Sequence, residues 1–326
     1  MKRILTGLKP TGELTIANYI GAITQMIKYQ NEYELYLFVA DLHSLTVDNN
    51  VEELNKNIKD FVALYIACGI DPNKVTLYVQ SDCPYICAVS WMLECTTYFG
   101  EMSRMIQFKE KSKENKSFSV GLFTYPALMA SDILVVDSDI VPVGMDQKQH
   151  VELTRDIATR FNNKYGNTFV IPDVKITEVG AKIMDLQNPI KKMSKTADSN
   201  KGVIGLLDDL DEARKKIMSA TTDSETIIKY DEENKPGISN LINIYAGITN
   251  MSIKDIENKF KDSNYGNFKK EVADKVVDFL SDIQNKYNKL INSKDLDLIL
   301  DRGSKKVNDM ALKKYEDMRK KMGVYR

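Results

Sequence analysis

The sequence predicts an α/β fold, a doubly wound parallel sheet with helices on both faces, followed by an all-α helical domain in the C-terminal part. Three observations carry this. Short strand-like runs alternate with segments of 3.6-residue periodicity through the first half of the chain. The clearest run, residues 35–40, is nearly continuously apolar, as a parallel strand covered on both faces must be. Beyond about residue 185 the alternation gives way to helical segments joined by polar turns.

In order, residues 3–6 read as a strand, 7–12 as a turn-rich loop with Gly7, Pro10 and Gly12, and the next segment as a helix through Ile16, Tyr19, Ile20, Ile23 and Ile27. Strands are expected at 35–40 and 75–79, with a helix at 51–68 between them on Leu54, Ile58, Phe61, Val62 and Tyr65. Residues 140–143 form a further strand that runs through Gly144, Met145 and Asp146 into a helix carrying Val151, Thr154, Ile157, Ala158 and Phe161. Helices follow at 206–218, 238–246 and 268–287. A last amphipathic helix on Val307, Met310, Ala311, Met318 and Met322 closes the chain. The expected division is 1–188, 189–289 and 290–326, with an insertion near 75–115.

With 326 residues, 43% hydrophobic and 28% charged, the chain buries a real core. Forty-five Lys and Arg against 46 Asp and Glu exclude a protein that coats nucleic acid through bulk charge. A local patch is the remaining route, and residues 305–326 hold eight basic against three acidic side chains. No apolar run is long enough to span a bilayer and no signal peptide opens the chain, so a soluble, cytoplasmic protein without a membrane partner is expected. Cys68, Cys83, Cys87 and Cys95 with His43 and His150 lack zinc-ligand spacing, and no metal site is expected.

Gly7 and Gly12 before a helix suit a phosphate-cradling loop, but Glu13 and Leu14 stand where such a loop needs Lys and Ser or Thr, and an ordinary tight turn explains the glycines as well. Lys191, Lys192 and Lys195 lie among Ser194, Thr196, Ser199 and Gly202. Such a run is ordinarily a solvated turn, yet a mobile cationic loop also suits a leaving group whose negative charge grows. If Pro126 is the first residue of a helix, Tyr125, Met129 and Asp132 fall at i, i+4 and i+7 on one face. A core-facing stripe ending in a surface Asp has the same spacing.

Pro10, Thr11, Gly12, Glu13, Leu14, Thr15, Ile16, Ala17 and Asn18 resemble the first signature of class I aminoacyl-tRNA synthetases. Lys192, Met193, Ser194, Lys195 and Thr196 resemble the second, about 175 residues further on. Residues 125–132, 144–156 and 235–240 are similar to the bacterial-type tryptophanyl branch, and the resemblance runs from Met1 to Arg326.

That resemblance implies a Rossmann-like catalytic domain that uses ATP with Mg2+ to activate L-tryptophan and passes it to tRNA(Trp), in a homodimer with its interface near 84–99. Residues 189–289 would then be the second-signature loop and a helical anticodon-binding domain, and 290–326 a helix returning to the catalytic domain. It implies catalytic roles for Thr15, Asn18, Lys192 and Lys195, the two lysines following the pyrophosphate. ATP would be bound by Lys9, Pro10, Thr11, Ala17, Asn18, Gly144, Met145, Asp146, Gln147, Ile183, Lys192, Met193, Ser194 and Lys195. Indole is a large flat apolar body with one N–H donor and no acceptor, so its pocket needs apolar walls and one buried acceptor. The resemblance assigns that acceptor to Asp132 and the rest of the pocket to Tyr125, Met129, His43, Gln107, Val141, Val143, Leu5 and Gly7. Lys9, Ala17, Met145 and Thr196 depart from the family's usual Gln, Gly, Glu and Ser. A tyrosyl-tRNA synthetase, or a catalytically silent relative that binds RNA or tryptophan as a regulator, are the alternatives.

Overall fold

The computed structural model describes residues 1–114, 117–176, 182–194 and 200–326. Five parallel strands, β1 (Arg3–Leu8), β2 (Glu34–Val39), β3 (Thr76–Val79), β4 (Ile140–Val143) and β5 (Asp173–Ile176), lie in the order β3-β2-β1-β4-β5. The order reverses between β1 and β4, and the crevice outside their carboxyl ends is where an open α/β sheet binds ligands. Side chains alternate strictly between two cores. Ile4, Leu35, Leu37, Val39, Leu77 and Val79 face one, and Leu5, Tyr36, Phe38, Tyr78, Val141 and Val143 face the other.

The helices through the sheet are α1 (Ile16–Asn18), α2 (Thr24–Glu32), α3 (Asp41–Ser44), α4 (Val51–Ala67), α5 (Pro84–Glu94), α6 (Phe99–Met102), α7 (Ile106–Glu114), α8 (Val120–Val135) and α9 (Lys148–Tyr165). Then follow α10 (Leu210–Met218), α11 (Pro236–Thr249), α12 (Ile253–Lys259), α13 (Tyr265–Ile291) and α14 (Asp295–Met322). α14 runs back across β3. A Cβ at Gly303 would collide with the Leu77 carbonyl oxygen, so glycine is what lets the helix lie directly on the strand. Val307, Ala311 and Met318 complete the second core from this helix.

Three expectations are corrected, and one strand was not anticipated. The helix after the first loop is interrupted by a π-helical segment, Tyr19–Ile23, between α1 and α2. Pro126 is not the first residue of its helix: α8 starts six residues earlier, where the Ser119 side chain accepts from Leu122 N and caps it. The helix expected from 206 begins at Leu210, because Asp209 caps the amides of Asp211 and Glu212. β5 lacks a sequence signature because this edge strand has no buried residue, with Val174 and Lys175 only half-buried. The basic C-terminal patch is also partly spent on docking: Lys306 pairs with Glu34 at 3.0 Å and Lys314 with Asp137 at 2.6 Å. Lys305, Arg319 and Lys321 pair with acids of α14 itself.

Candidate active site

At the carboxyl ends of β1 and β4 opens a cavity of about 410 Å³. β1 contributes Leu5 and Gly7, β2 contributes Phe38, β4 contributes Val141 and Val143, and Gly144 follows at the turn into α9. Gly7 is needed here, since a Cβ would come within 2.7 Å of the Phe38 ring. α8 lays Tyr125, Met129 and Asp132 along one wall, the i, i+4, i+7 spacing surviving the shifted helix start. Pro126 sits on the adjacent, buried face. His43 on α3, and Gln107 and Lys111 on α7, line the remaining side.

Asp132 is fully buried. His43 Nε2 lies 2.8 Å from Oδ2, and Gln80 Nε2 donates to both carboxylate oxygens at 2.8 and 2.9 Å. A carboxylate accepts about four hydrogen bonds, so these three leave capacity for one more donor. Burial pushes the Asp132 carboxyl up despite the opposing pull of His43 and Gln80. Burial also pushes the Tyr125 phenol up to about 12 and keeps it protonated.

A second cavity, of about 460 Å³, adjoins the first: Gly7 and Lys9 line both. Its other walls include Thr11, Glu13, Thr15 and Asn18 from the first signature, and Met193 and Ser194 from the second. Thr15 and Asn18 cap each other. Thr15 N donates to Asn18 Oδ1 at 2.9 Å and Asn18 N donates to Thr15 Oγ1 at 3.3 Å. The first signature is tied by backbone to the segment at 204–206, Ile16 N donating to Ile204 O at 2.9 Å and Leu206 N to Leu14 O at 2.8 Å. Met193 N donates to Ile183 O at 3.0 Å, and Met184 forms an isolated antiparallel bridge with Lys192. Asn240 holds this segment from α11, its side-chain amide bonding both the amide and the carbonyl of Met184. Burial first, and the charge of Lys111 second, pull the Lys9 ammonium below its ordinary value.

The family model for tRNA synthetases class I (W and Y) matches residues 1–281. The chain belongs to that family. It is 50% identical to the tryptophan–tRNA ligase of Oceanobacillus iheyensis over 326 residues, all of both chains. It is 49% identical to the tryptophan–tRNA ligase of Bacillus subtilis, over 99% of this chain and 98% of that one. A crystal structure of Campylobacter jejuni tryptophanyl-tRNA synthetase complexed with ADP and tryptophan superposes with a TM-score of 0.85 at 35% identity, covering 98% of this chain and 99% of that one.

The geometry brings all nine residues expected at the tryptophan side into the first cavity, with Lys9, Gly144 and Gln147 beside them. Thr11, Thr15, Asn18, Met193 and Ser194 gather at the second. Other expected ATP residues line neither cavity. Pro10 and Ile183 are buried, Ala17 packs against the core, and Met145 and Lys192 are exposed. Asp146 is exposed and accepts from Gln107 at 3.2 Å and Gln147 at 3.0 Å. Lys195 and Thr196 lie outside the described residues. Sequence reasoning missed Gln80, Thr46, Lys111 and Phe38. Gln80 directly follows β3 and Phe38 is the last residue but one of β2, so the rule that ligands meet parallel strands at their carboxyl ends marks these two, whereas Thr46 and Lys111 carry no such signal.

Proposed function

We propose that this chain is a tryptophan–tRNA ligase that activates L-tryptophan with ATP, giving tryptophanyl-adenylate and pyrophosphate, and then transfers tryptophan to the 3′ end of tRNA(Trp). The observation that carries the choice of amino acid is Asp132, a fully buried carboxylate at an apolar cavity with capacity for one further donor. An indole N–H supplies that donor. Phenylalanine offers none and leaves the carboxylate under-satisfied, at a cost of about 1–3 kcal/mol or more.

The amino acid's carboxylate attacks the α-phosphorus of ATP in line and pyrophosphate departs. No side chain acts as nucleophile; positioning and charge stabilisation carry the rate. Lys9, which lines both cavities, stands where the carboxylate and the α-phosphate meet. Thr15 and Asn18 hold the triphosphate from one side, while Lys192 and Lys195 follow the leaving charge from the other. Gly144 and Asp146 take the ribose side. Mg2+ enters with ATP as part of the substrate, held by phosphate and water.

The working units are residues 1–188 for catalysis, 189–289 for the second signature and anticodon recognition, and 290–326 as the returning helix. The enzyme acts as a homodimer through the 84–99 segment, whose Trp91 and Phe99 are 67% and 74% exposed. It works in the cytoplasm. Among the described residues no helix is long and apolar enough to cross a membrane. Charging of tRNA(Trp) transcript tests the reading: tryptophan esterified to its 3′ end supports it, and charging with tyrosine instead overturns it.

A further inference from the structure

The first signature does not hold its own shape. α1 is three residues long and runs straight into the π-helical segment Tyr19–Ile23, so it lacks the length to set its geometry through its own backbone bonds. Residues 14–16 are held instead as a strand would be. Thr15 forms an isolated antiparallel bridge with Gly205, flanked by the hydrogen bonds from Ile16 N to Ile204 O and from Leu206 N to Leu14 O. Leu14, Thr15, Ile16, Ile204 and Leu206 are all buried.

The 204–208 segment is in turn fastened to the helices behind it. On α13, Gln284 Nε2 donates to Leu206 O at 3.1 Å and to Asp208 O at 2.8 Å. Asp208 Oδ2 accepts from Gly205 N at 3.0 Å and from Lys216 Nζ on α10 at 2.7 Å. α13 also meets the signature directly: the Phe279 ring packs on Tyr19, the residue after Asn18, with centroids 4.6 Å apart. One helix therefore supports both sides of the Thr15 and Asn18 pair, through the strap on one side and through Tyr19 on the other.

We propose that Gln284 is a positioning residue for ATP: by holding the carbonyls of Leu206 and Asp208 it fixes the strap, and through the strap it sets the placing of Thr15 and Asn18. Gln284 itself lines neither cavity, whereas Leu14, Thr15 and Asn18 line the second and not the first. Loss of the amide therefore reaches ATP and spares the amino acid. This assignment rests on the reading above that Thr15 and Asn18 hold the triphosphate.

Gln284→Met keeps the length of the side chain and removes its donors, while Gln284→Lys keeps a donor. Steady-state ATP–pyrophosphate exchange and calorimetric titration with ATP alone read the outcome. Gln284→Met is expected to raise both KM and Kd for ATP by about five- to tenfold, with KM for tryptophan unchanged, and Gln284→Lys to recover most of the loss. Gln284→Ala, a mild change at a half-buried helix position, gives the same readout if Gln284→Met does not fold. In an Asn18→Ala background Gln284→Met should add little, since the group it positions is gone. Asp274→Ala breaks the 2.6 Å ion pair between α13 and Arg214 and controls for a helix that is merely loosened; it should leave the ATP constants unchanged. A full multiplicative effect on top of Asn18→Ala, an equal rise in KM for tryptophan, the same loss in Asp274→Ala, or unmoved ATP constants in Gln284→Met overturn the proposal while leaving the ATP reading intact. Wild-type protein that neither binds ATP nor supports exchange overturns that reading, and the Gln284 assignment with it.

Discussion

The side-chain amide of Asn240 pairs with Met184 as a neighbouring strand would: Met184 N donates to Oδ1 at 2.7 Å and Nδ2 donates to Met184 O at 2.8 Å. Asn240 is 2% exposed, and Met184 in turn bridges Lys192. One amide therefore ties α11 to the base of the second signature. Asn240→Ala leaves two backbone groups without partners and should cost about 1–3 kcal/mol of stability. Because the segment continues into Met193 and Ser194, which line the second cavity and not the first, kcat for ATP–pyrophosphate exchange should fall while KM for tryptophan changes little. A rise in KM for tryptophan with kcat unchanged contradicts this placement.

Asp132→Asn replaces an acceptor-only group with one that presents an NH2 to Gln80 and His43. The ratio of kcat/KM for tryptophan over phenylalanine should drop by about ten- to a hundredfold. Unchanged discrimination in steady-state exchange assays would show that Asp132 is not the indole acceptor.

The junction of α14 and β3 tolerates no side chain at residue 303. Gly303→Ala forces the helix off the Leu77 carbonyl, and overpacking of this kind costs about 1–3 kcal/mol or more. Urea denaturation should show a lower midpoint with an unchanged slope. Wild-type stability in this variant means that α14 does not seat on β3 as described.

Stability should fall on the acid side in two overlapping windows. His150 has a folded value of about 4 against 6.5 for an ordinary imidazole, so below 6.5 the unfolded chain takes up a proton that the folded protein refuses. Its share of stability is lost as pH falls from 6.5 to 4, with a limiting slope of about 1.4 kcal/mol per pH unit. Glu34 behaves as a depressed carboxylate: burial pushes it up, but hydrogen bonds from Tyr36, Lys306 and Arg3 win and hold it at about 2. Its contribution is present above 4.5 and is lost as pH falls through 2. His150→Gln should flatten the upper window and Glu34→Gln the lower one. Identical urea midpoints for wild type and His150→Gln from pH 7 to 4.5, after correction for a constant offset, refute the first assignment.

Local pattern made part of this protein legible. β2 was readable because both of its faces are buried, which turns residues 35–39 into an unbroken apolar run. β5 was not, because an edge strand with no buried residue has no apolar pattern to show. The Tyr125, Met129 and Asp132 wall was visible because helical spacing alone puts three residues on one face, and that holds wherever the helix begins. The start of α8 was misread because proline is common at a first turn, whereas Ser119 makes the cap. The partners of that wall come from elsewhere in the chain. Gln80 is 52 residues from Asp132 and His150 is 25 residues from Tyr125, and no spacing rule joins positions that only the sheet brings together.

Amino-acid-dependent ATP–pyrophosphate exchange tests the central claim most directly, because it reads the activation step and its specificity together. With tryptophan, tyrosine and phenylalanine supplied separately at saturating MgATP, exchange should occur with tryptophan and stay near background with the other two. Exchange supported by tyrosine alone, or none with any of the three, would contradict the account.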